Sequence, residues 1–459
     1  MKGSFILNKE EKMLNGNLFK TILLFSLPLM LSNILQVLFN MTDIAVVGKF
    51  GSSIALGAVG STVMLVSFYT SFVMGIGNGV NVFVARYLGQ NDYDKVKRIV
   101  HSGFYVSIVT GLVLSALSIS LSFPMLKLLG TKDELINEAS IYCFIYFTGL
   151  PAMAIYNYGN GVLSASGETK KPLFILIVSG LMNLGLNLFL VICFNLGVVG
   201  VAVSSAISQY TSAIAIIVIL ITSKGHNKLY LKAVKTDLKS VKEILYIGIP
   251  SGLQYSIFSI ANMFIQSGIN SFDHVTVEGV SAATNADSFI YESMFAIYAA
   301  CASFISINYG AGKMNRVKKS YFICLLYSFS LGLILGGLLF IFGRQFLSLF
   351  TNDEMVIESG LDRIKIMGLI YCISAFMDNT TAAARGLGKS FAPTVIVILG
   401  SCIFRIVWLY AVFYPIHTIE SLFLVYPTSW IITAVVEIIY FIHAYKLANK
   451  LHTNSVVLQ

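Results

Sequence analysis

Charged residues are scarce in this sequence. Only 12% of its 459 residues are Asp, Glu, Lys or Arg, whereas 56% are hydrophobic, and the mean hydropathy is +0.79. A soluble protein needs a largely polar surface, and this composition does not supply one. The composition therefore excludes an ordinary soluble globular protein and indicates a polytopic membrane protein.

The sequence also lacks the motifs of common catalytic and cofactor sites. It contains no Walker A pattern, no HExxH motif and no His pair at i, i+4. A nucleotide-driven pump needs a phosphate-binding loop, and a hydrolase needs a nucleophile–base set or a metal cluster. We therefore expect neither an enzyme nor a resident cofactor, and an ion gradient is the expected energy source.

Cysteine is rare, and its placement does not suggest a metal site. The sequence has no CxxC pair, and all six cysteines lie inside apolar segments: Cys143, Cys193, Cys301, Cys324, Cys372 and Cys402. Cysteines in such a setting behave as small hydrophobic side chains. We expect them to be buried and unpaired.

Long apolar runs are what the sequence has in abundance. A helix needs about 20 mostly apolar residues to cross a bilayer. Twelve segments meet this requirement, near 20–46, 54–82, 99–125, 136–159, 172–194, 197–222, 244–270, 277–307, 320–343, 358–382, 392–414 and 421–445. The sequence therefore predicts an all-α integral membrane protein with twelve transmembrane helices.

Basic residues are concentrated in alternate loops. Most of the 31 Lys and Arg residues lie in the loops that share a side with the termini. The other loops hold only Lys49, Lys127, Lys132, Arg344, Arg363 and Lys365, and Arg405 alone lies within a span. The positive-inside rule then predicts that both termini are cytoplasmic, in the inner cell membrane. The net charge of +9 reports this topology and contact with anionic lipid, and not nucleic-acid binding.

The sequence matches itself when it is shifted by about 221 residues. Pro28 then meets Pro250, and "GQNDYDKVKR" meets "GAGKMNRVKK". Each copy holds six predicted spans, so both copies enter the membrane from the same side and form a parallel repeat. The predicted domains are an N-lobe at 1–222, a linker at 223–243 and a C-lobe at 244–459. Two facing bundles with a central cleft would suit alternating access.

A stripe of polar side chains runs along the first predicted span. At about 100° per residue, one helix face carries Asn33, Gln36, Asn40 and Asp43. A charged group in a span is costly and usually faces the bundle interior. A carboxyl group in low dielectric can take up and release protons, and its oxygens could also hold a bare cation. Asp43 is expected to bind the coupling cation, with a structural hydrogen-bonded acid as the alternative.

A second stripe lies in the fifth predicted span, where Asn183 and Asn187 are spaced at i, i+4. Amide oxygens together with one carboxylate suit Na⁺, because hard cations prefer oxygen ligands. Hydrogen bonding between packed helices is the alternative. The residues therefore leave H⁺ and Na⁺ open as coupling ions, and the only metal ion expected is Na⁺ at Asp43, Asn183 and Asn187.

The second half of the chain carries different acids. Asp287 and Tyr291 are spaced at i, i+4 in the eighth span, and Asp378 lies in the tenth. All three are expected to contact substrate or the coupling ion. Glu437, in the last span, is expected to extend towards the membrane surface.

The repeat does not duplicate the acid of the first span. Asn40 meets Asn262, another candidate cleft residue, but Asp43 meets Ile265. The scaffold recurs while the carboxyl group does not. The two lobes are therefore expected to do different chemical work.

Several stretches together resemble the multidrug and toxin extrusion (MATE) family, which shares a superfamily with lipid and polysaccharide flippases. They are "SLPLMLSNILQVLFNMTDIAVVGKFG", "VARYLGQNDYDKVKR", "GIPSGLQYSIFSIANMFIQSGINSF", "INYGAGKMNRVKK" and "AAARGLGKS". The resemblance covers nearly the whole chain. It implies a V-shaped pair of six-helix lobes that exports amphipathic, often cationic compounds in exchange for H⁺ or Na⁺.

The resemblance also assigns roles to residues of the N-lobe. Asp43 matches the first-span acid of the family's cation site, which Asn183, Asn187 and Ser205 match in the fifth and sixth spans. Gln36 and Asn40 match positions near the drug and proton pocket. Asn187 stands where DinF-like archaeal members have an acid, so one carboxyl group replaces two.

In the C-lobe, Asp378 resembles a tenth-span acid of the family, whereas the seventh span lacks the Glu of NorM-like members. The expected function is H⁺- or Na⁺-coupled export of amphipathic, cationic drugs or metabolites, with H⁺ slightly favoured. The alternative is a flippase for lipid-linked precursors or polysaccharides, which should place several basic residues in its cleft. Only Arg405 is clearly intramembrane, and it is expected to pair with an acid, with binding of an anionic group as the alternative. The expected partners are the small-molecule substrate and membrane lipid, with no nucleic acid, and the chain is expected to be a monomer.

Overall fold

The computed structural model describes residues 9–233 and 236–457, and every regular element in those ranges is helical. The helices are α1 (Lys9–Asn15), α2 (Leu18–Phe50), α3 (Ser53–Gly89), α4 (Tyr93–Leu128), α5 (Asp133–Phe147), α6 (Leu150–Ala165), α7 (Lys170–Leu188), α8 (Gly197–Thr222), α9 (Leu238–Ile269), α10 (His274–Gly310), α11 (Met314–Leu347), α12 (Glu354–Met367), α13 (Tyr371–Gly386), α14 (Phe391–Val397), α15 (Phe404–Trp408), α16 (Tyr414–Ile416), α17 (Ile419–Phe423) and α18 (Val425–Val457). Wider π-helical turns follow α7, α14 and α15 at Phe189–Cys193, Ile398–Ile403 and Leu409–Phe413.

Most of the predicted spans are present as long apolar helices. In the described ranges, ten helices are long and apolar enough to cross a membrane, and the pair α5 and α6, bent by 44°, makes up to eleven. The remaining predicted span, near 358–382, falls on α12 and α13. It is less apolar than the others because it includes Asp362, Arg363, Lys365 and Asp378.

The chain divides into two compact units. Unit 1 comprises Met1–Lys12 and Leu31–Ser256, and unit 2 comprises Met13–Met30 and Ile257–Gln459. All three divisions fall inside a helix: one in α1, one shortly after Pro28 in α2 and one shortly after Pro250 in α9. The predicted lobes at 1–222 and 244–459 follow the sequence repeat, whereas the packing units exchange the first halves of α2 and α9. The chain termini lie outside the described residues.

Unit 1 is built around α6, which packs against α3, α4 and α8. The helices α3 and α6 approach closely because both carry glycine where they cross. A Cβ atom added to Gly161 would lie 2.5 Å from the carbonyl oxygen of Gly77, and Asn81 Nδ2 donates to the Gly161 carbonyl at 3.0 Å. Small residues permit such approaches between membrane helices. The tight crossing fixes α8, which carries part of the candidate site.

Unit 2 is organised around α10 and α13. The helix α10 packs against α11, α12 and α13, and α13 also packs along α18. At the contact between α10 and α12, a Cβ atom on Gly279 would lie 2.4 Å from the carbonyl oxygen of Val356. This arrangement brings side chains of α13 against α18 and side chains of α12 against α10.

The cysteines are free, as the sequence predicts, but they are not all buried. Five have buried side chains, whereas Cys193 is exposed. Cys193 lies at the end of the π-helical turn after α7, where the helix reaches the surface of unit 1.

Candidate functional site

The carboxyl group of Asp43 is the centre of a hydrogen-bonded cluster in unit 1. Asn187 Nδ2 donates to Asp43 Oδ1, and Ser205 Oγ donates to Oδ2 at 3.2 Å. The Asn183 amide, oriented with its nitrogen towards the carboxylate, donates to Oδ1 at 2.9 Å and accepts from the Ser205 backbone N–H at 3.3 Å. The helices α7 and α8 thus bring all three predicted neighbours to one carboxyl group on α2.

The cluster is shielded from solvent on the sides of α7 and α8. Asn183, Asn187 and Ser205 are all buried, and Asn187 is 0% exposed. Among the described residues, nothing donates to Asn187 Oδ1, although this oxygen is buried. Buried polar atoms are nearly always hydrogen-bonded, so an acceptor left open next to a carboxylate is a place for a cation or a proton donor.

The local backbone explains how α7 presents this face. Asn183 and Asn187 are one turn apart, and the π-helical turn Phe189–Cys193 begins two residues later. Single π turns inside helices occur frequently at functional sites. Val46 and Val47 continue α2 beyond Asp43 into the apolar core of unit 1, which anchors the carboxylate-bearing turn.

Two tyrosines of α5 complete the surroundings of Asp43. Tyr142 and Tyr146 lie close enough for the charge of Asp43 to act on their hydroxyl groups. Sequence reasoning missed both, because they lie in an apolar run. Their i, i+4 spacing in "IYCFIYF" was the available signal.

The other members of the α2 stripe lie outside this cluster. Asn33 is half-buried, while Gln36 and Asn40 are exposed. None of the three has a described hydrogen bond to Asp43. Their substrate-contact role stays a prediction.

In unit 2, Asp287 is part of a buried ion pair. Arg363 donates to Asp287 Oδ2, and the Tyr371 hydroxyl donates to Oδ1. Arg363 is 3% exposed, also donates to Thr284 Oγ1 at 2.9 Å, and lies 4.9 Å from the ring centroid of Phe423. The sequence did not predict this pairing, and both oxygens of Asp287 are committed to it. The predicted contact with substrate or ion is not tested by this arrangement.

Tyr291 contributes to an aromatic group in unit 2. Its ring stacks on Phe295 with centroids 6.4 Å apart and meets Tyr298 edge-on at 6.5 Å. The i, i+4 spacing from Asp287 therefore does not place Tyr291 in the ion pair. Its substrate role also stays a prediction.

Arg405 is fully buried in unit 2, but no carboxylate lies within 4 Å of it among the described residues. The guanidinium group instead donates from Nη1 to Asn262 Oδ1 at 3.0 Å. It also lies 4.6 Å from the ring centroids of both Phe258 and Tyr426. The expected direct pairing with an acid is replaced by an amide and two aromatic faces.

Asp378 and Glu437 both have buried carboxyl oxygens that make no hydrogen bond with the described residues. Asp378 has one such oxygen, and Glu437 has two. Glu437 is 0% exposed, so the expectation that it extends to the membrane surface is wrong. The reason is that α13 packs along α18 and covers the face that carries Glu437.

The MatE family model matches residues 28–189 and 250–411, one match in each copy of the repeat. The chain belongs to the MATE family. The "Probable multidrug resistance protein YoeA" of Bacillus subtilis is 25% identical over 84% of this chain and 85% of its own length. The "Probable multidrug resistance protein NorM" of Thermotoga maritima is 26% identical over 83% and 82%.

Solved structures of the MATE family share the fold. One, described as the outward-facing conformation of a multidrug resistance MATE family transporter of the MOP superfamily, superimposes with a TM-score of 0.88. It covers 96% of this chain and 99% of its own at 19% identity. The chain therefore has the helical fold of the MATE family, and the two MatE matches fall on the two copies of the repeat.

Proposed function

We propose that this MATE transporter exports amphipathic, cationic compounds in exchange for a cation, by alternating access. The observation that carries the proposal is the Asp43 cluster, in which a carboxyl group inside a membrane helix is surrounded by two amides and a hydroxyl. An acid in that position is costly unless it binds a proton or cation. The duplicated scaffold supplies two bundles of the kind that alternating access requires.

We propose H⁺ as the coupling ion, with Na⁺ as the second candidate. Asn183, Asn187 and Ser205 all donate to Asp43, and this arrangement stabilises the carboxylate after its proton has left. The observation that favours Na⁺ is the buried Asn187 Oδ1, which is open among the described residues and offers the oxygen that a hard cation needs.

Drug-like cargo fits the residues of unit 2 better than a lipid-linked phosphate does. Arg363 is committed to Asp287, and Arg405 lies between two aromatic rings. A flippase for anionic precursors needs several basic groups that are available to the phosphate, and Arg363 is not available because it pairs with Asp287. The names of YoeA and NorM as multidrug resistance proteins support export of drugs by this chain as well.

The loop charges support a cytoplasmic location for both termini in the cell membrane. We propose that the chain acts as a monomer that contacts small-molecule cargo and lipid and binds no nucleic acid.

The test is transport by purified protein in proteoliposomes, with a pH gradient and a Na⁺ gradient imposed separately. A cationic dye should move against its own gradient when a pH gradient is present. Dye movement that follows only the Na⁺ gradient would show that the coupling ion is Na⁺ and not H⁺. Movement that ignores both gradients would refute ion-coupled exchange.

A further inference from the structure

Glu437 is the most deeply buried acid of unit 2, and its surroundings do not suit a carboxylate. It is 0% exposed, and neither carboxyl oxygen receives a hydrogen bond from any described residue. An ionised carboxylate without donors is strongly disfavoured in a low-dielectric interior. The side chain therefore needs a proton or a cation.

The face of α13 that covers Glu437 carries a stripe of polar residues. Asp378, Thr381 and Arg385 are spaced at i, i+3 and i+7, so they share one helix face. The charges of Arg385 and Asp378 both act on the Glu437 carboxyl group. Glu437 thus faces one acid, one base and one hydroxyl group.

The other helices around α18 add few titratable groups. The charge of Glu437 acts on the hydroxyl group of Tyr321 in α11. The elements that pack on α18 besides α13 carry Cys402, Arg405 and Glu420, and of these Arg405 acts on Asp378. Among the described acids, Asp378 is the one whose charge acts on Glu437, which makes it the partner for proton exchange.

The hydroxyl groups near Glu437 already donate hydrogen bonds to backbone carbonyls. Thr381 lies on the face of α13 that carries Asp378 and Arg385, and its Oγ1 donates to the Met377 carbonyl at 3.0 Å. Thr433, one turn before Glu437, donates to the Ser429 carbonyl at 2.7 Å. Since a hydroxyl group has one proton, Thr381 can only accept from Glu437. Neither hydroxyl group therefore has a proton left to donate to an ionised Glu437.

The repeat shows that packing alone does not require an acid here. Glu437 aligns with Ile216 of unit 1, which is 0% exposed and packs against Gly159. An aliphatic side chain thus fills the equivalent position of the same scaffold. A carboxyl group in unit 2 costs free energy that an isoleucine would not.

We propose that Glu437 is a second proton-binding site, in the interior of unit 2, which exchanges its proton with Asp378 during transport. The proposal rests on the proposed ion-coupled function. In the exchange, the O–H bond of Glu437 breaks and an O–H bond forms on Asp378, and the negative charge moves to Glu437. Arg385 stabilises the charge on Glu437 after the proton has left.

Infrared difference spectroscopy on the full-length purified protein tests the site without any gradient. Spectra taken between neutral and alkaline pH should show the C=O band of a protonated carboxylic acid. Glu437→Gln keeps the size of the side chain and should lose one component of this band, and Glu437→Asp should restore one. Glu420→Gln, which changes an exposed acid at the start of α17, should keep the full band.

Transport distinguishes a proton site from a packing role. Glu437→Ile copies unit 1 and should fold with an unchanged elution profile, yet its dye transport should lose part of its pH dependence. An unchanged infrared band in Glu437→Gln, or an unchanged pH profile in Glu437→Ile, would overturn the proton site. Wild-type transport that ignores both ion gradients would refute the proposed function instead, and the infrared result would still report on Glu437.

Discussion

The two units carry opposite buried charges, at positions that the repeat does not align: Asp43 meets Ile265, and Arg405 meets Leu184. In unit 1, Asp43 is held by Asn183 and Ser205. In unit 2, Tyr426 aligns with Ser205, and Arg405 aligns with the residue after Asn183. The guanidinium group is buried there against Tyr426, whereas the aligned cluster in unit 1 surrounds a carboxyl group.

The polar cluster of unit 1 thus contains a carboxyl group and that of unit 2 a guanidinium group, so we expect a cation to be favoured only in unit 1. The acids of unit 2 occur elsewhere, along α10, α13 and α18. Duplication therefore preserved the helical scaffold, and single substitutions on it set the chemistry of each unit.

The largest expected effect comes from Asp43→Asn. The amide cannot release a proton or supply a negative charge, so gradient-driven dye export should be lost while the protein remains folded. Proteoliposome transport under imposed pH and Na⁺ gradients measures this. Asp133→Asn, an exposed acid at the start of α5 in the same unit, is the matched control and should transport normally. If Asp43→Asn exported the dye at the wild-type rate, Asp43 would not be the residue that couples export to the ion gradient.

The next effect should be on stability and should arise in unit 2. Asp287→Asn leaves the buried Arg363 charge without its partner, which costs about 3–5 kcal/mol for ion pairs of this kind. Thermal unfolding in detergent should show a clearly lower midpoint. The double variant Asp287→Leu with Arg363→Met should regain most of the loss, because a well-packed apolar pair is often neutral.

Asp362→Asn is the control for this prediction, because it breaks the exposed pair with Lys365 on the same helix. Exposed pairs contribute about 0–1 kcal/mol, so its midpoint should barely change. If Asp287→Asn were as stable as Asp362→Asn but altered the range of exported drugs, Asp287 would act on cargo and not as a structural link.

Local pattern explains which parts of the site could be predicted. The i, i+4 spacing of Asn183 and Asn187 is visible in the sequence, and the family resemblance supplied their link to Asp43 and Ser205. Helical periodicity describes only one helix at a time. It shows which face a residue occupies but not which helix covers that face.

The contacts that sequence reasoning missed all join distant helices. Arg363 and Asp287 are separated by 76 positions, and nothing in either segment specifies the other. Glu437 resembled a residue near a helix end, and only the packing of α13 along α18 shows that it is buried. The fold itself was more predictable, because apolar length and an internal repeat survive in the sequence without knowledge of contacts.

A smaller effect should identify the coupling ion. Ser205→Ala removes the hydroxyl group that donates to Asp43 Oδ2. A hydrogen bond to a charged group contributes about 1.5–3 kcal/mol, or roughly tenfold or more in an equilibrium constant. If H⁺ is the ion, half-maximal transport should move to a lower proton concentration, because the carboxylate has lost a donor. If Na⁺ were the ion, the half-saturating Na⁺ concentration should rise, because a ligand has been lost.

The measurement is the dependence of dye transport on each ion in proteoliposomes. Ser208→Ala, one turn further along α8, is the matched control, since Ser208 Oγ donates to the Ser205 carbonyl and has no recorded hydrogen bond to Asp43. Equal ion dependence in Ser205→Ala and wild type would show that the hydroxyl group does not contribute to binding.

The smallest effect concerns a pair of helix N-termini that the repeat aligns. Asp92 caps α4 by accepting from the Lys95 backbone N–H at 3.1 Å, whereas Lys313, at the same place before α11, makes no side-chain cap. The hydrogen bonds from the Lys95 side chain and backbone lower the pKa of Asp92. A lowered pKa means that the stabilisation is present above the ordinary Asp value of about 3.9 and is lost as the pH falls through the folded value.

Asp92→Ala should therefore lower the unfolding midpoint at neutral pH by an amount typical of a lost cap, about 1 kcal/mol. The difference from wild type should shrink as the pH falls below about 4, because the wild-type carboxylate then loses its charge as well. Lys313→Ala should show no such convergence, because Lys313 makes no side-chain cap and instead donates from Nζ to Asn15 Oδ1 at 2.5 Å. If the difference in unfolding midpoint between Asp92→Ala and wild type stayed constant across this pH range, the charge of Asp92 would not contribute. The Asp92 side chain would then stabilise α4 by packing.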